Sequence, residues 1–139
     1  MAIKFFRLKR KVNINGVVVE KYMAQMQVET VIDFDKLAEL IDQRSTMSRG
    51  DIRGVLSEVE SICGDMLLLG HKLNFGDLGS FCPGMKAIAC DTPEEVTSET
   101  ITKFYTIFKP SKTLKKRFKE AVFHLGDNKV RGVKYKKKD

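Results

Sequence analysis

From Ile52 to Leu69 the apolar residues recur at helical spacing, and the stripe they make widens as the chain proceeds. Ile52, Val55, Leu56, Val59, Ile62, Cys63, Met66, Leu67 and Leu69 follow the i, i+3, i+4 rule of an amphipathic helix. Ser48 and Asp51, three residues apart, make a start resembling a capping box, and Gly70 is a natural C-cap. A helix that is apolar over more than one face is usually covered from several sides. A chain of 139 residues is about one domain, so a partner subunit is the expected source of the missing cover.

The period changes on either side of this helix. Phe6, Leu8, Val12 and Ile14 share one parity, the signature of a half-buried strand. Asn15-Gly16 follows, and both residues accept positive φ, the strongest short hairpin signal. Val17 opens a return strand through Tyr22 and Met26, so residues 2–28 read as a β-hairpin. Asp33 caps a first helix with Leu37, Leu40 and Ile41 on its apolar face, ending near Arg44 or Ser45. After Gly70, the residues Leu73, Phe75, Leu78 and Phe81 read as strand, turn, strand, which Pro83-Gly84 interrupts. Residues 85–90 and 99–108 read as a long ribbon with its tip near Pro93. Ser111 caps a last helix with Leu114, Phe118, Val122 and Leu125 on its apolar face, closed by Gly126. The tail 127–139 has little apolar content and reads as disordered.

Several function classes lack their residues. No apolar run approaches the ~18 residues of a membrane span, and Met1–Arg10 has no secretory h-region. Cys63, Cys82 and Cys90 are odd in number and form no CxxC, which argues against a disulfide framework or structural zinc and for a reduced, cytoplasmic chain. His71 and His124 stand in no paired spacing, and Cys63 sits among core positions. Gly76-Asp77-Leu78-Gly79 imitates a GxxG loop without its cations and reads as a tight turn. Glu94 and Glu95 are adjacent and would point to opposite faces of a strand. No catalytic residue, metal site, cofactor or small-molecule substrate is expected.

Charge is the more informative quantity. Lysine and arginine total 25 against 18 aspartate and glutamate, a net +7. Residues 1–30 carry +4, residues 31–102 carry −7 and residues 103–139 carry +10. Two basic ends therefore flank an acidic middle, and a polyanion is the expected partner.

Three segments carry a family resemblance. Thr46-Met47-Ser48-Arg49 joins the two helices. Gly70-His71-Lys72-Leu73-Asn74-Phe75-Gly76-Asp77-Leu78-Gly79-Ser80-Phe81 resembles a G-x-x-V-x-L-x-G-F-G-x-F pattern. Ile107-Phe108-Lys109-Pro110-Ser111-Lys112-Thr113-Leu114-Lys115 is close to A-F-K-P-G-K-x-L-K. Together they resemble the HU/IHF histone-like bacterial DNA-binding family over about Ile32–Leu125. The resemblance implies an α+β fold with two N-terminal helices, a three-stranded antiparallel sheet with an extended β-arm, and a C-terminal helix. A β-hairpin precedes it here. The implied organisation is a hairpin extension at 1–30, an HU-like domain at 31–126 and a basic tail at 127–139.

The resemblance also implies a non-enzymatic homodimer of the nucleoid that binds duplex DNA. By position it assigns DNA contacts to Arg49, Lys86, Lys109, Lys112 and Lys115. Charge adds Lys116, Lys119, Lys134, Lys136, Lys137 and Lys138, with Lys4, Arg7, Lys9, Arg10 and Lys11 on the hairpin. The arm departs from the family pattern. Residues 82–102 hold Lys86 against Asp91, Glu94, Glu95 and Glu99, a net −3. Carboxylates repel phosphate, so low-specificity phosphate contacts are expected from the body and tail. The alternative is an HU-like interaction module whose acidic arms bind a protein.

Overall fold

The computed structural model describes residues 1–132. Two of them set its first element. Asn15 and Gly16 have φ of 51° and 81°, the positive pair that a type I′ turn requires. The turn joins β1 (Ile3–Ile14) to β2 (Val17–Met26) in an antiparallel register running from Ile14 opposite Val17 to Phe5 opposite Met26.

Side-chain caps start the helices. The Asp33 carboxylate accepts the Lys36 N–H at 2.9 Å and begins α1 (Phe34–Asp42). The Ser48 hydroxyl accepts the Asp51 N–H at 3.2 Å and begins α2 (Arg49–Leu68). Gly70, at φ 84°, lets the chain leave α2. Ala38 of α1 and Ile52 of α2 are the only fully buried apolar residues among those described. Leu56, Cys63, Met66 and Leu67 continue the Ile52 face and are half-buried. Val55, Val59 and Ile62 make a second stripe on α2, exposed at 53%, 37% and 54%.

The chain then forms β3 (Leu73–Asn74), β4 (Gly79–Ala87) and β5 (Ile101–Pro110), an antiparallel sheet in that order. Strands β4 and β5 make an arm whose tip is two single 3₁₀ turns, Pro93–Glu95 and Ser98–Thr100. A short α3 (Lys112–Phe118) and a last strand, β6 (Phe123–Gly132), complete the order. Residues 1–31 with residues 120–132 form one compact unit, and residues 32–119 another.

This α+β layout corrects the expected one. The described residues hold two three-stranded sheets, not a single sheet preceded by a hairpin, and a strand follows the third helix. The last helix stops at Phe118 instead of Gly126, and residues 123–132, expected as helix end and disordered tail, form β6. This strand pairs in parallel with β1, placing Ile3 opposite Phe123, Phe5 opposite Leu125 and Leu8 opposite Arg131, in the sheet order β2-β1-β6. The physical reason lies in the residues at 112–125. Lys112, Lys115, Lys116 and Lys119 repel one another at i, i+3 and i+4, so extending the helix gains little. Val122-Phe123 favours strand, and β1 offers an unpaired edge, where the Ile3 N–H donates to the Val122 carbonyl at 2.7 Å. Pro83-Gly84 likewise does not interrupt a strand. Both lie inside β4, with Gly84 opposite Tyr105 and that ring filling the space a Cβ would occupy.

Between Leu125 and Val130 the register of β6 slips outward in a bulge. Asp127 holds it, accepting the Lys129 N–H at 2.9 Å and pairing with the Arg131 guanidinium at 3.0 Å. The backbone N–H and then the guanidinium hold this carboxyl below its ordinary value. A lowered carboxyl stabilises the fold above its unfolded pKa, roughly 3.9, and loses that contribution as pH falls through the lowered value. Asp127→Asn is therefore expected to speed amide exchange across β6 at neutral pH, relative to intrinsic rates. The difference from the parent chain is expected to vanish at strongly acid pH.

Candidate nucleic-acid interface

The basic end of the second unit begins at a turn. Phe75 donates its N–H to the Gly79 carbonyl at 2.8 Å, and the Asn74 side chain accepts the Gly76 N–H at 2.8 Å. Gly76 and Gly79 have φ of 60° and 147°. A Cβ on Gly79 would stand 2.3 Å from the Lys109 carbonyl and 2.9 Å from the Phe108 ring. The missing side chain thus lets the turn close against β5. Behind it Phe81 packs edge-on to Phe75 at 5.4 Å and tilted against Phe108 at 5.2 Å.

The same turn holds α3. The Ser111 hydroxyl accepts the Leu114 N–H at 3.0 Å and donates to the Asp77 carbonyl, while the Ser111 N–H donates to the Leu78 carbonyl at 3.2 Å. Helix geometry puts Lys112, Lys115, Lys116 and Lys119 at i, i+3, i+4 and i+7, on one face. All four are exposed, and none has an ion-pair partner among the described residues.

The arm brings further cations together. Directly opposite residues of an antiparallel pair share a face. Lys109 is opposite Ser80, and Lys86 is opposite Lys103. Lys86, Lys103 and Lys109 therefore lie on one face with Gly84 and Tyr105. Phe81, Met85, Phe104 and Phe108 take the other. Lys103 stands at the boundary between the acidic middle and the basic end of the chain, where the charge pattern does not single it out. Counting register back from Pro110 would have found it. The four carboxylates Asp91, Glu94, Glu95 and Glu99 are confined to the tip and its two short turns, beyond the lysines.

The other candidate cations are more scattered. Arg49 is the first residue of α2, close enough for its charge to help hold the Glu39 carboxyl low, after the larger effect of the Lys36 ammonium at 3.0 Å. Alternation along β1 divides the hairpin set: Arg7, Lys9 and Lys11 lie on one face and Lys4 and Arg10 on the other. Lys4 pairs with Glu29 at 3.0 Å and Lys9 with Glu20 at 2.8 Å. Their hydrogen bond, then their mutual attraction, raises the Lys9 pKa, and that bond also leads in lowering the Glu20 value. Lys134, Lys136, Lys137 and Lys138 lie outside the described residues. Cys63, Cys82 and Cys90 are unbridged. Among the described residues no three His, Cys, Asp or Glu side chains are placed to hold a metal ion, and no helix is long and apolar enough to cross a membrane.

Residues 1–124 match a family model described as an HU domain fused to wHTH, Ig, or glycine-rich motif. The chain belongs to this family. The matched stretch includes β1 and β2 as well as the helices and arm. Among solved structures, the fold is similar to that of a protein from Bacteroides vulgatus ATCC 8482, provisionally assigned as a bacterial DNA-binding protein. The TM-score is 0.56 at 14% identity, over 95% of this chain and 50% of that one. This HU-family chain thus spans half the length of that relative, and the likeness is one of fold. No curated protein matches.

The joint at Gly79 gives a direct test. Gly79→Ala forces a Cβ onto the Lys109 carbonyl, and is expected to destabilise the chain by roughly 1–3 kcal/mol, the scale of a strained backbone position. Urea denaturation measures it. An unchanged midpoint would show that the turn does not need the close approach.

Proposed function

We propose that this HU-family chain is a non-enzymatic, dimeric DNA-binding protein of the bacterial nucleoid that holds duplex DNA through phosphate contacts with little sequence preference. One observation carries the reading: the lysine face of α3, Lys112, Lys115, Lys116 and Lys119, without an ion-pair partner among the described residues and anchored by Ser111 to the 76–79 turn. Four like charges on two helical turns are unfavourable alone and favourable against a row of phosphates, where each neutralised phosphate releases condensed counterions. The arm's lysine face, Lys86, Lys103 and Lys109, adds to the same surface in kind. Lysines on flexible stems suit phosphates as point charges, and phosphate contacts carry no sequence information directly, which supports low specificity.

Dimerism is supported by α2. Its second stripe, Val55, Val59 and Ile62, is apolar and exposed, and a surface stripe of this kind is what a subunit interface covers. A matching helix from a second copy is the proposed cover.

Two measurements test the reading. Lys112→Glu with Lys115→Glu is expected to weaken duplex binding about tenfold or more at low salt. It is also expected to reduce the slope of log affinity against log salt by about two. Unchanged affinity in an electrophoretic shift titration would remove α3 from the surface. Sedimentation is expected to give two copies per particle, and Val59→Asp with Ile62→Asp to lower thermal stability and abolish its dependence on protein concentration. A parent chain that sediments as a monomer at all concentrations would refute the dimer.

A further inference from the structure

The first unit carries a surface that duplex binding by α3 does not use. Alternation and register put Ile3, Phe5, Arg7, Lys9 and Lys11 of β1 on one face of the β2-β1-β6 sheet. Glu20, Tyr22, Ala24 and Met26 of β2 and Phe123 of β6 share it. The two ends of this face differ. One end is an apolar groove of about 430 Å³ lined by Ile3, Phe5, Ala24, Met26 and Phe123. The other is a basic row in which Lys9 is neutralised by Glu20 at 2.8 Å, while Arg7 and Lys11 have no ion-pair partner among the described residues. Tyr22 and Phe123 are each 64% exposed. The opposite face holds Phe6, Leu8, Val12 and Val19, all half-buried, with the Arg131 guanidinium 4.3 Å from the centre of the Phe6 ring.

We propose that this face is a stacking platform for single-stranded nucleic acid, with Phe123, Phe5 and Tyr22 beneath bases and Arg7 and Lys11 against the backbone phosphates. Each of the three strands contributes one aromatic ring, and none of the three belongs to an aromatic pair among the described residues. Tyr22 and Phe123 are exposed, and the half-buried Phe5 lines the groove beside Phe123. An exposed ring on a flat sheet can stack only on a base that is not already stacked and paired, which selects single strands over duplex. Charge argues for the same occupant, since residues 1–30 carry +4 and Glu20, the one carboxylate on the face among the described residues, already pairs with Lys9. A purely apolar partner would leave Arg7 and Lys11 unanswered. The inference concerns a different strandedness and a different unit from the duplex surface, so the two can fail separately.

The experiment uses the full chain with fluorescein-labelled oligo-dT of about twelve nucleotides, within the ~4–16 that such platforms cover, and a duplex of equal length. Anisotropy is read at low salt. Tyr22→Leu with Phe123→Leu keeps apolar area but removes two rings. It is expected to weaken oligo-dT binding about tenfold or more, and duplex binding by less than about twofold. Tyr22→Phe keeps the ring and is expected to bind like the parent. Lys112→Glu with Lys115→Glu is expected to show the reverse pattern. The chain has no tryptophan and three tyrosines, so stacking has a spectroscopic signature: oligo-dT quenches tyrosine emission in the parent, and less so in Tyr22→Phe. Absence of oligo-dT binding by the parent overturns the proposal, as does equal binding by the double leucine variant. A change of oligomeric state in the leucine variant with oligo-dT affinity preserved would instead identify the face as an interface between copies, and would also overturn it.

Discussion

The close approach of the backbone at Gly79 governs the second unit. With no side chain there, the 76–79 turn lies against the Lys109 carbonyl and the Phe108 ring. That contact brings the Asp77 and Leu78 carbonyls within reach of Ser111. Ser111 in turn caps α3 and so sets where its lysine face begins. The order of cause is backbone conformation, then strand closure, then helix start, then charge placement. A cap contributes about 1 kcal/mol, too little to hold seven residues in helix against four clustered lysines. The additional bonds from Ser111 to the turn explain why so short a helix persists.

Pairing decides which of the many cations can serve a partner. Lys4, Lys9, Lys36, Arg53 and Arg131 are each engaged by a carboxylate at 2.8–3.0 Å. Exposed pairs of this kind contribute little to stability, but each removes a cation from the surface a polyanion meets. Two groups of cations without a carboxylate partner among the described residues differ in their surroundings. On α3 four lysines share one helix face, and on the arm Lys86, Lys103 and Lys109 share a face with Tyr105. On β1, Arg7 and Lys11 share a sheet face with Phe5, with Tyr22 of β2 and with Phe123 of β6. The first arrangement suits a ridge of phosphates, and the second suits a strand whose bases are turned toward the protein.

The parts that were legible in the amino-acid sequence share one property: a few adjacent residues determine them. Asn15-Gly16 needs only its own φ preferences, and Asp33, Ser48 and Ser111 cap through residues three positions on. The parts that were not legible depend on distant pairing. Strand β6 adds to an edge more than a hundred residues earlier, and its parallel pairing leaves no turn signal between the partners. Gly126 there resembles a helix C-cap, yet it sits where a Cβ would meet the Gln27 side chain at 2.9 Å. Lys86 was legible as a candidate by family position, while Lys103 became visible only when the β4–β5 register set it opposite.

The apolar surface left on α2 links fold to function. A helix must bury its apolar stripe against another element, and α1, with nine residues, covers only the Ile52 face of a twenty-residue partner. With Ala38 and Ile52 the only fully buried apolar side chains among the described residues, one copy alone has little of the hydrophobic stabilisation that offsets chain entropy. In the proposed dimer, covering Val55, Val59 and Ile62 would supply that stabilisation and would also bring a second α3 into the particle. Two lysine faces in that particle would bind a duplex as a bivalent ligand, the second contact forming at the high effective concentration set by the first. Association of copies would then complete the core and make weak, sequence-independent phosphate contacts sufficient for binding.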